Sequence, residues 1–175
     1  MNVCGWTKDN SLLRTTLIQQ ANCDIVSICE TLLLNDNTIS IPGYIWFGFN
    51  RLEIHKNAPK GSGGVGILVK NWLFDLFTIC VIDKSYDGIL GLKFTHRSSD
   101  FEFLVFACYL PPENSNRGRD AQSFFTHLLS QVYINNDNNG IFLVGDFNAR
   151  IGILSETLSD VDNIPKRNLI DRSIN

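Results

Sequence analysis

Residues 141–149 read Ile-Phe-Leu-Val-Gly-Asp-Phe-Asn-Ala, and this stretch decides how the rest of the chain is read. Five residues, Ile141 to Gly145, form an apolar run short enough for a buried strand and too short for a helix. It opens directly into Asp146-Phe147-Asn148. In layered α/β folds, sites gather at the carboxyl ends of strands, where a polar side chain stands on a stiff element and faces a crevice. Asp146 and Asn148 have that placement. Taken alone, an Asp-x-Asn after a strand is equally well an ordinary turn.

Two further strands end in polar residues. Asp24-Ile-Val-Ser-Ile-Cys29 is an apolar, β-branched run that ends at Glu30. Phe101 to Leu110 is the strongest strand pattern in the chain; Tyr109 lies near its end and Pro111-Pro112 stops it. Singly, a Glu after a strand is a common solvated loop residue and a Tyr in an aromatic strand a common core residue. Three such residues in this order form a pattern. Carboxylates on rigid strand ends suit a hard divalent cation, which takes oxygen ligands.

Working outward, Asp9-Asn10-Ser11 offers helix-capping chemistry. Leu12, Leu13, Thr16, Leu17 and Gln20 then follow at helical spacing, which predicts a helix over about 10–21. Thr31 to Pro42 is a connection. Tyr44–Asn50, Val65–Lys70, Leu73–Ile82 and Ile89–Thr95 are strand candidates, and 96–100 is a turn. A second helix is expected over about 118–133, with Phe124, Phe125, Leu128, Leu129 and Val132 on one face. Trp46, Phe47 and Phe49 read as core. Hairpin-like strand pairs mixed with helix–strand units predict a layered α/β fold.

Composition sets the bounds. With 175 residues, 44% hydrophobic and 19% charged, the chain fits a single domain, 1–175, able to bury a core. A net charge of −3 excludes a binder steered to nucleic acid by bulk positive charge. Any polyanion contact must come from a local patch or a metal ion. Arg51, Lys56, Lys60 and Lys70 against Glu53 make such a patch, with Arg117 and Arg119 further on. They read equally as a solvated surface or as contacts to a DNA backbone. The five cysteines, Cys4, Cys23, Cys29, Cys80 and Cys108, form no C-x-x-C pair and read as reduced and buried. The N-terminus shows no secretory signal, and no apolar run is long enough for a membrane span. An intracellular protein, of cytosol or nucleus, is the expectation.

The motifs NVCGW (2–6), DIVSICET (24–31), IPGY (41–44), GGVGILVK (63–70), CYLPPENS (108–115) and LVGDFNARIG (143–152) resemble the endonuclease/exonuclease/phosphatase (DNase I-like) superfamily. Within it they look like the endonuclease domain of non-LTR (LINE-type) retrotransposons, which is associated with a reverse transcriptase. Abasic-site repair endonucleases are more distant. The resemblance implies a four-layer α/β sandwich with mixed, largely antiparallel sheets, incomplete at the C-terminus, residues 153–175 starting a second half. It implies Mg²⁺-dependent phosphodiester hydrolysis, with Mn²⁺ as a substitute, and DNA as partner. By position, Glu30 resembles the metal ligand, with Asn2 beside it. Asp146 resembles the residue that orients or deprotonates the attacking water, Asn148 its partner, and Tyr109 the phenol that contacts the phosphate.

The chain departs from the family pattern. The family carries a later Asp and a Ser-Asp-His segment, whereas His55, His96 and His127 all precede GDFN. Only Met1 precedes Asn2, and Cys4 stands where repair relatives carry an acidic residue. These departures lead to the expectation that the chain alone is nearly inactive, with an exposed sheet edge. The alternatives are a non-catalytic remnant or binding module, a phosphatase or nuclease of the same fold acting on another phosphate ester, and a plain interaction module.

Overall fold

A computed structural model describes residues 1–51, 61–112 and 121–149. The elements run α1 (Lys8–Ala21), β1 (Ile25–Cys29), β2 (Tyr44–Phe49), β3 (Val65–Lys70), α2 (Leu73–Leu76), β4 (Phe77–Asp83), β5 (Ile89–His96), β6 (Glu102–Tyr109), α3 (Ala121–Ile134) and β7 (Gly140–Asp146). One sheet has the order β1-β3-β2 and is antiparallel throughout. The other has the order β4-β5-β6-β7, antiparallel except for the parallel β6–β7 pair. The parallel pair follows from the α3 crossover, since parallel neighbours need a long connection.

Side-chain alternation explains how the layers stack. On β6, Val105, Ala107 and Tyr109 face the space between the sheets, against Val65, Ile67 and Val69 of β3. Leu104, Phe106 and Cys108 face outward, beneath Phe124 and Leu128 of α3. On the other flank, Leu68 and Ile28 face outward beneath Ile18 of α1. The result is the expected helix–sheet–sheet–helix sandwich, with three apolar layers. Trp46 packs against the outer layer, while Phe47 and Phe49 pack against the layer between the sheets, all three half-buried at the edge of the core.

Several sequence expectations are corrected. The strand expected over 73–82 begins only at Phe77, because the amide of Phe74 donates to Asn71 and that of Asp75 to Trp72, winding one helical turn first. Helix α1 starts earlier than expected. Its cap residue is Thr7, whose amide donates to Asn10 Oδ1 at 2.9 Å. Leu12, Leu13 and Leu17 are exposed, and only Ile18 is buried. Their periodicity is real, but the described residues put nothing over that face. On α3, Phe124 and Leu128 are buried while Phe125 and Leu129 are exposed, so the inward stripe is narrower than the pattern.

All five cysteines are free thiols, yet only Cys29 and Cys108 are buried. Cys80 lies on the edge strand β4, and Cys23 follows the end of α1; both face solvent, as does Cys4. Among the described residues, no strand pairs with the far edge of β7, and Phe142, Leu143 and Val144 of that strand are exposed. No helix among the described residues is long and apolar enough to cross a membrane.

Candidate active site

Asn2, Glu30, Tyr109, Asp146 and Asn148 come from four separate parts of the chain. The register explains how three of them meet. Tyr109 of β6 lies opposite Asp146 of β7, and the ladder runs one step further, with Leu110 N–H donating to the Asp146 carbonyl at 3.0 Å. Both strands therefore end together. Asn148, in the left-handed region at φ 47°, turns the chain back at that end. Its amide donates to Asp146 Oδ1 at 3.0 Å, and its Nδ2 to the Leu110 carbonyl at 2.8 Å. The Asp-x-Asn is thus a turn, but one that fixes the Asp146 carboxylate.

Asn2 reaches the same carboxylate from the other sheet. It forms a parallel bridge with Cys29 at the end of β1, held by Cys29 N–H to Met1 O at 2.9 Å and Val3 N–H to Cys29 O at 3.0 Å. Asn2 Nδ2 donates to Asp146 Oδ2 at 2.8 Å, and Asn2 Oδ1 accepts from the Cys4 amide at 3.0 Å. The single residue before Asn2 is enough to pair it. Arg14 of α1 holds this segment, its guanidinium donating to the Val3 and Gly5 carbonyls. The sequence reading missed Arg14, because a lone Arg on a polar helix carries no local signal.

Close approach of the sheets makes the meeting geometrically possible. Cys29 Sγ donates to the Cys108 carbonyl at 3.2 Å across the sandwich. A Cβ on Gly145 would stand 1.9 Å from that same carbonyl oxygen, so only glycine lets β7 lie there. Burial pushes the Cys29 thiol up, and burial together with the nearby Cys29 pushes Cys108 up to about 12. Both are packing residues here, not nucleophiles.

Glu30 follows Cys29 at φ 57°. Its carbonyl accepts from Gly5 N–H at 2.8 Å, which keeps it next to the Asn2 segment. Its carboxylate accepts no hydrogen bond from the described residues. Tyr109 is buried, and its ring packs in the inter-sheet core and lines a small pocket with Gly63, Gly64, Gly88 and Arg51. Arg51 is largely buried there. Its Nε pairs with Asp87 at 2.8 Å, and its Nη1 donates to Ser62 Oγ at 3.3 Å, so its charge is already neutralised. Lys70 lies at the opposite end of β3, bound to Asp24 and Asn22, and does not join Arg51 in one patch. Lys56, Lys60, Arg117 and Arg119 lie outside the described residues.

The two residues expected as metal ligands, Glu30 and Asn2, both offer side-chain oxygens. No group of three or more His, Cys, Asp or Glu suited to a metal occurs among the described residues. Oxygen donors suit a hard divalent cation and not a soft metal.

The match to the Endonuclease/Exonuclease/phosphatase family model runs over residues 2–169 and takes in every site residue above. The chain belongs to this family. No curated protein sequence matches it. Among solved structures it is similar to an AP endonuclease of Leishmania major, at 14% identity and a TM-score of 0.66, covering 85% of this chain and 54% of that one. It is similar to the human nocturnin catalytic domain, at 16% identity and a TM-score of 0.55, covering 83% and 58%. It is similar as well to a mannosyl-6-phosphatase of Bacteroides thetaiotaomicron, at 20% identity and a TM-score of 0.51, covering 81% and 57%. At these identities the likeness is one of fold. The family member described here spans little more than half the length of these three structures.

Proposed function

We propose that this site is a metal-dependent phosphodiester hydrolase centre that nicks DNA, as part of an endonuclease domain of retrotransposon origin. The observation that carries the reading is the convergence of Asn2 and Asn148 on one carboxylate, Asp146, at the shared end of β6 and β7. A carboxylate that must take a proton from water has to be ionised and held still. Two fixed donors, Asn2 Nδ2 and the Asn148 amide, hold one oxygen each and so fix its orientation.

In this reading Asp146 orients the attacking water and accepts its proton. Asn148 and Asn2 hold Asp146. Glu30 and Asn2 would hold the cation, with Mg²⁺ the favoured ion. When bound, the cation would supply positive charge against the negative charge that accumulates on the phosphoryl oxygens. Tyr109 contributes a fixed phenol beside the Gly63–Gly64 turn, where the phosphate would lie. The choice of DNA, the nicking outcome and the retrotransposon origin rest on the motif set around these residues. Phosphate contacts from the basic residues would position a duplex without reading its sequence.

The test is a nicking assay on supercoiled plasmid, with a parallel Mn²⁺ titration, for the unmodified chain, Glu30→Ala and Asp146→Ala. The expected result is metal binding lost in Glu30→Ala and residual nicking lost in Asp146→Ala. Nicking that survives Asp146→Ala overturns the role of Asp146. Metal binding unchanged by Glu30→Ala favours a non-catalytic remnant, and hydrolysis of a phosphomonoester but not DNA favours a phosphatase.

A further inference from the structure

We propose that Thr31, Asn50 and Gly64 enclose one buried water molecule, and that this water makes Thr31 a positioning residue for the Glu30 carboxylate. The second half of this statement rests on the reading of Glu30 as a metal ligand; the first half does not.

The starting point is a pair of orphaned polar atoms. Thr31 is fully buried, and its hydroxyl has no hydrogen-bond partner. The Asn50 Oδ1 atom is also buried without a partner, although the Nδ2 of the same side chain donates to the Asn35 and Asn37 carbonyls at 2.7 and 3.0 Å. Those two donated bonds fix the amide orientation and leave Oδ1 turned inward. A buried polar atom left unmatched costs about 1–3 kcal/mol, so two of them side by side call for a ligand.

Gly64 shows where that ligand belongs. The residue lies in the left-handed region, and a Cβ on it would stand 2.4 Å from Thr31 Oγ1 and 3.9 Å from Asn50 Oδ1. Both orphans therefore lie beside the face of Gly64 that lacks a side chain. One is a hydroxyl and the other an acceptor only. Water serves both, accepting from Thr31 and donating to Asn50, and sites of this kind hold ordered water. Gly64 also lines the pocket beside Tyr109.

The link to Glu30 is backbone geometry. Glu30 and Leu32 are both at positive φ, an unfavourable conformation for residues with a side chain. The turn they make is held on one side by Trp6 N–H to Thr31 O at 2.6 Å. On the other side Thr31 N–H donates to Gly64 O at 3.2 Å and Leu32 N–H to Gly63 O at 2.9 Å. The water adds a side-chain tie from this turn to the Gly63–Gly64 turn and Asn50. Without it, the left-handed Glu30 can relax and its carboxylate can drift.

Two measurements on the full chain test this. A crystal structure at a resolution that shows ordered solvent should place a water within hydrogen-bond distance of Thr31 Oγ1 and Asn50 Oδ1. An empty cavity, or a direct bond from Thr31 to a protein carbonyl, overturns the proposal. Thr31→Val keeps the shape and removes the hydroxyl. It should weaken Mn²⁺ binding about tenfold, as loss of an outer hydrogen-bond partner does, with unchanged stoichiometry and circular dichroism. Thr31→Ser should restore the affinity. Equal weakening in both variants, or none in Thr31→Val, overturns the positioning role. If the unmodified chain binds no Mn²⁺, the reading of Glu30 fails and the positioning role with it, while the ordered water stands or falls on the density alone.

Discussion

Asn2 and Asp146 are 144 positions apart, yet Asn2 Nδ2 donates to Asp146 Oδ2 at 2.8 Å. The bond joins the bridge at the edge of one sheet to the last described strand of the other. It is both a clamp on the sandwich and a means of aiming the carboxylate. Asn2→Ala is expected to weaken Mn²⁺ binding by roughly tenfold, in line with loss of a residue that orients a metal site. Titration followed by the paramagnetic signal of free Mn²⁺ checks this; unchanged affinity would separate Asn2 from the metal.

Gly145 makes the meeting of β6 and β7 possible. Gly145→Ala would drive its Cβ into the Cys108 carbonyl, which stands 1.9 Å from the ideal Cβ position. The strand must shift, and the expected loss is about 1–3 kcal/mol, typical of overpacking. Urea unfolding of the two chains measures it. Asp146 should also lose its alignment, so metal binding should weaken in the same variant.

Asp83 gives an acid-side prediction away from the site. Burial pushes its carboxyl up, but the Ser85 hydroxyl and amide and the His127 ring, 2.7 Å away, pull it further down, so the net shift is downward. A depressed carboxylate contributes stability that is fully present above its unfolded value, about 4, and is lost as pH falls through the lower folded value. Asp83→Asn should therefore melt below the unmodified chain at pH 6, and the gap should close on acidification below about pH 4. Melting temperatures across that range decide it; a gap independent of pH would mean that Asp83 acts through shape alone.

The thiols should divide into two classes. Cys4, Cys23 and Cys80 are exposed, whereas Cys29 and Cys108 are buried. Burial pushes the Cys29 thiol up and Cys108 up to about 12, which leaves almost no thiolate at pH 8. A thiol reagent should modify three cysteines quickly in the native chain and the other two only on unfolding, as mass spectrometry would show. Rapid labelling of Cys108 would mean that the β6 layer opens under native conditions.

Much of the architecture is legible along the chain because it depends on short-range periodicity. The alternation in Glu102–Tyr109 places Val105 and Ala107 on one face and Leu104 and Phe106 on the other, and the structure keeps that division. Apolar runs ending at Glu30, Tyr109 and Asp146 mark strand ends for the same reason. The motif order was enough to place these residues in one family, and the family match covers them all.

Other features depend on groups distant in sequence. Leu12, Leu13 and Leu17 have the spacing of a core face, yet they are exposed, because burial needs a neighbouring layer and not only a period. Nothing local distinguishes Arg14, whose carbonyl partners exist only once the N-terminal segment has paired with β1. The neutralisation of Arg51 by Asp87 is equally hidden, since it requires the β4–β5 connection to pass beside the end of β2. Chemical identity and strand pattern are properties of neighbouring residues, so they can be read in order. Which donors reach Asp146, and which buried oxygens are left facing Gly64, depends on how closely two sheets approach, and only the packed sandwich decides that.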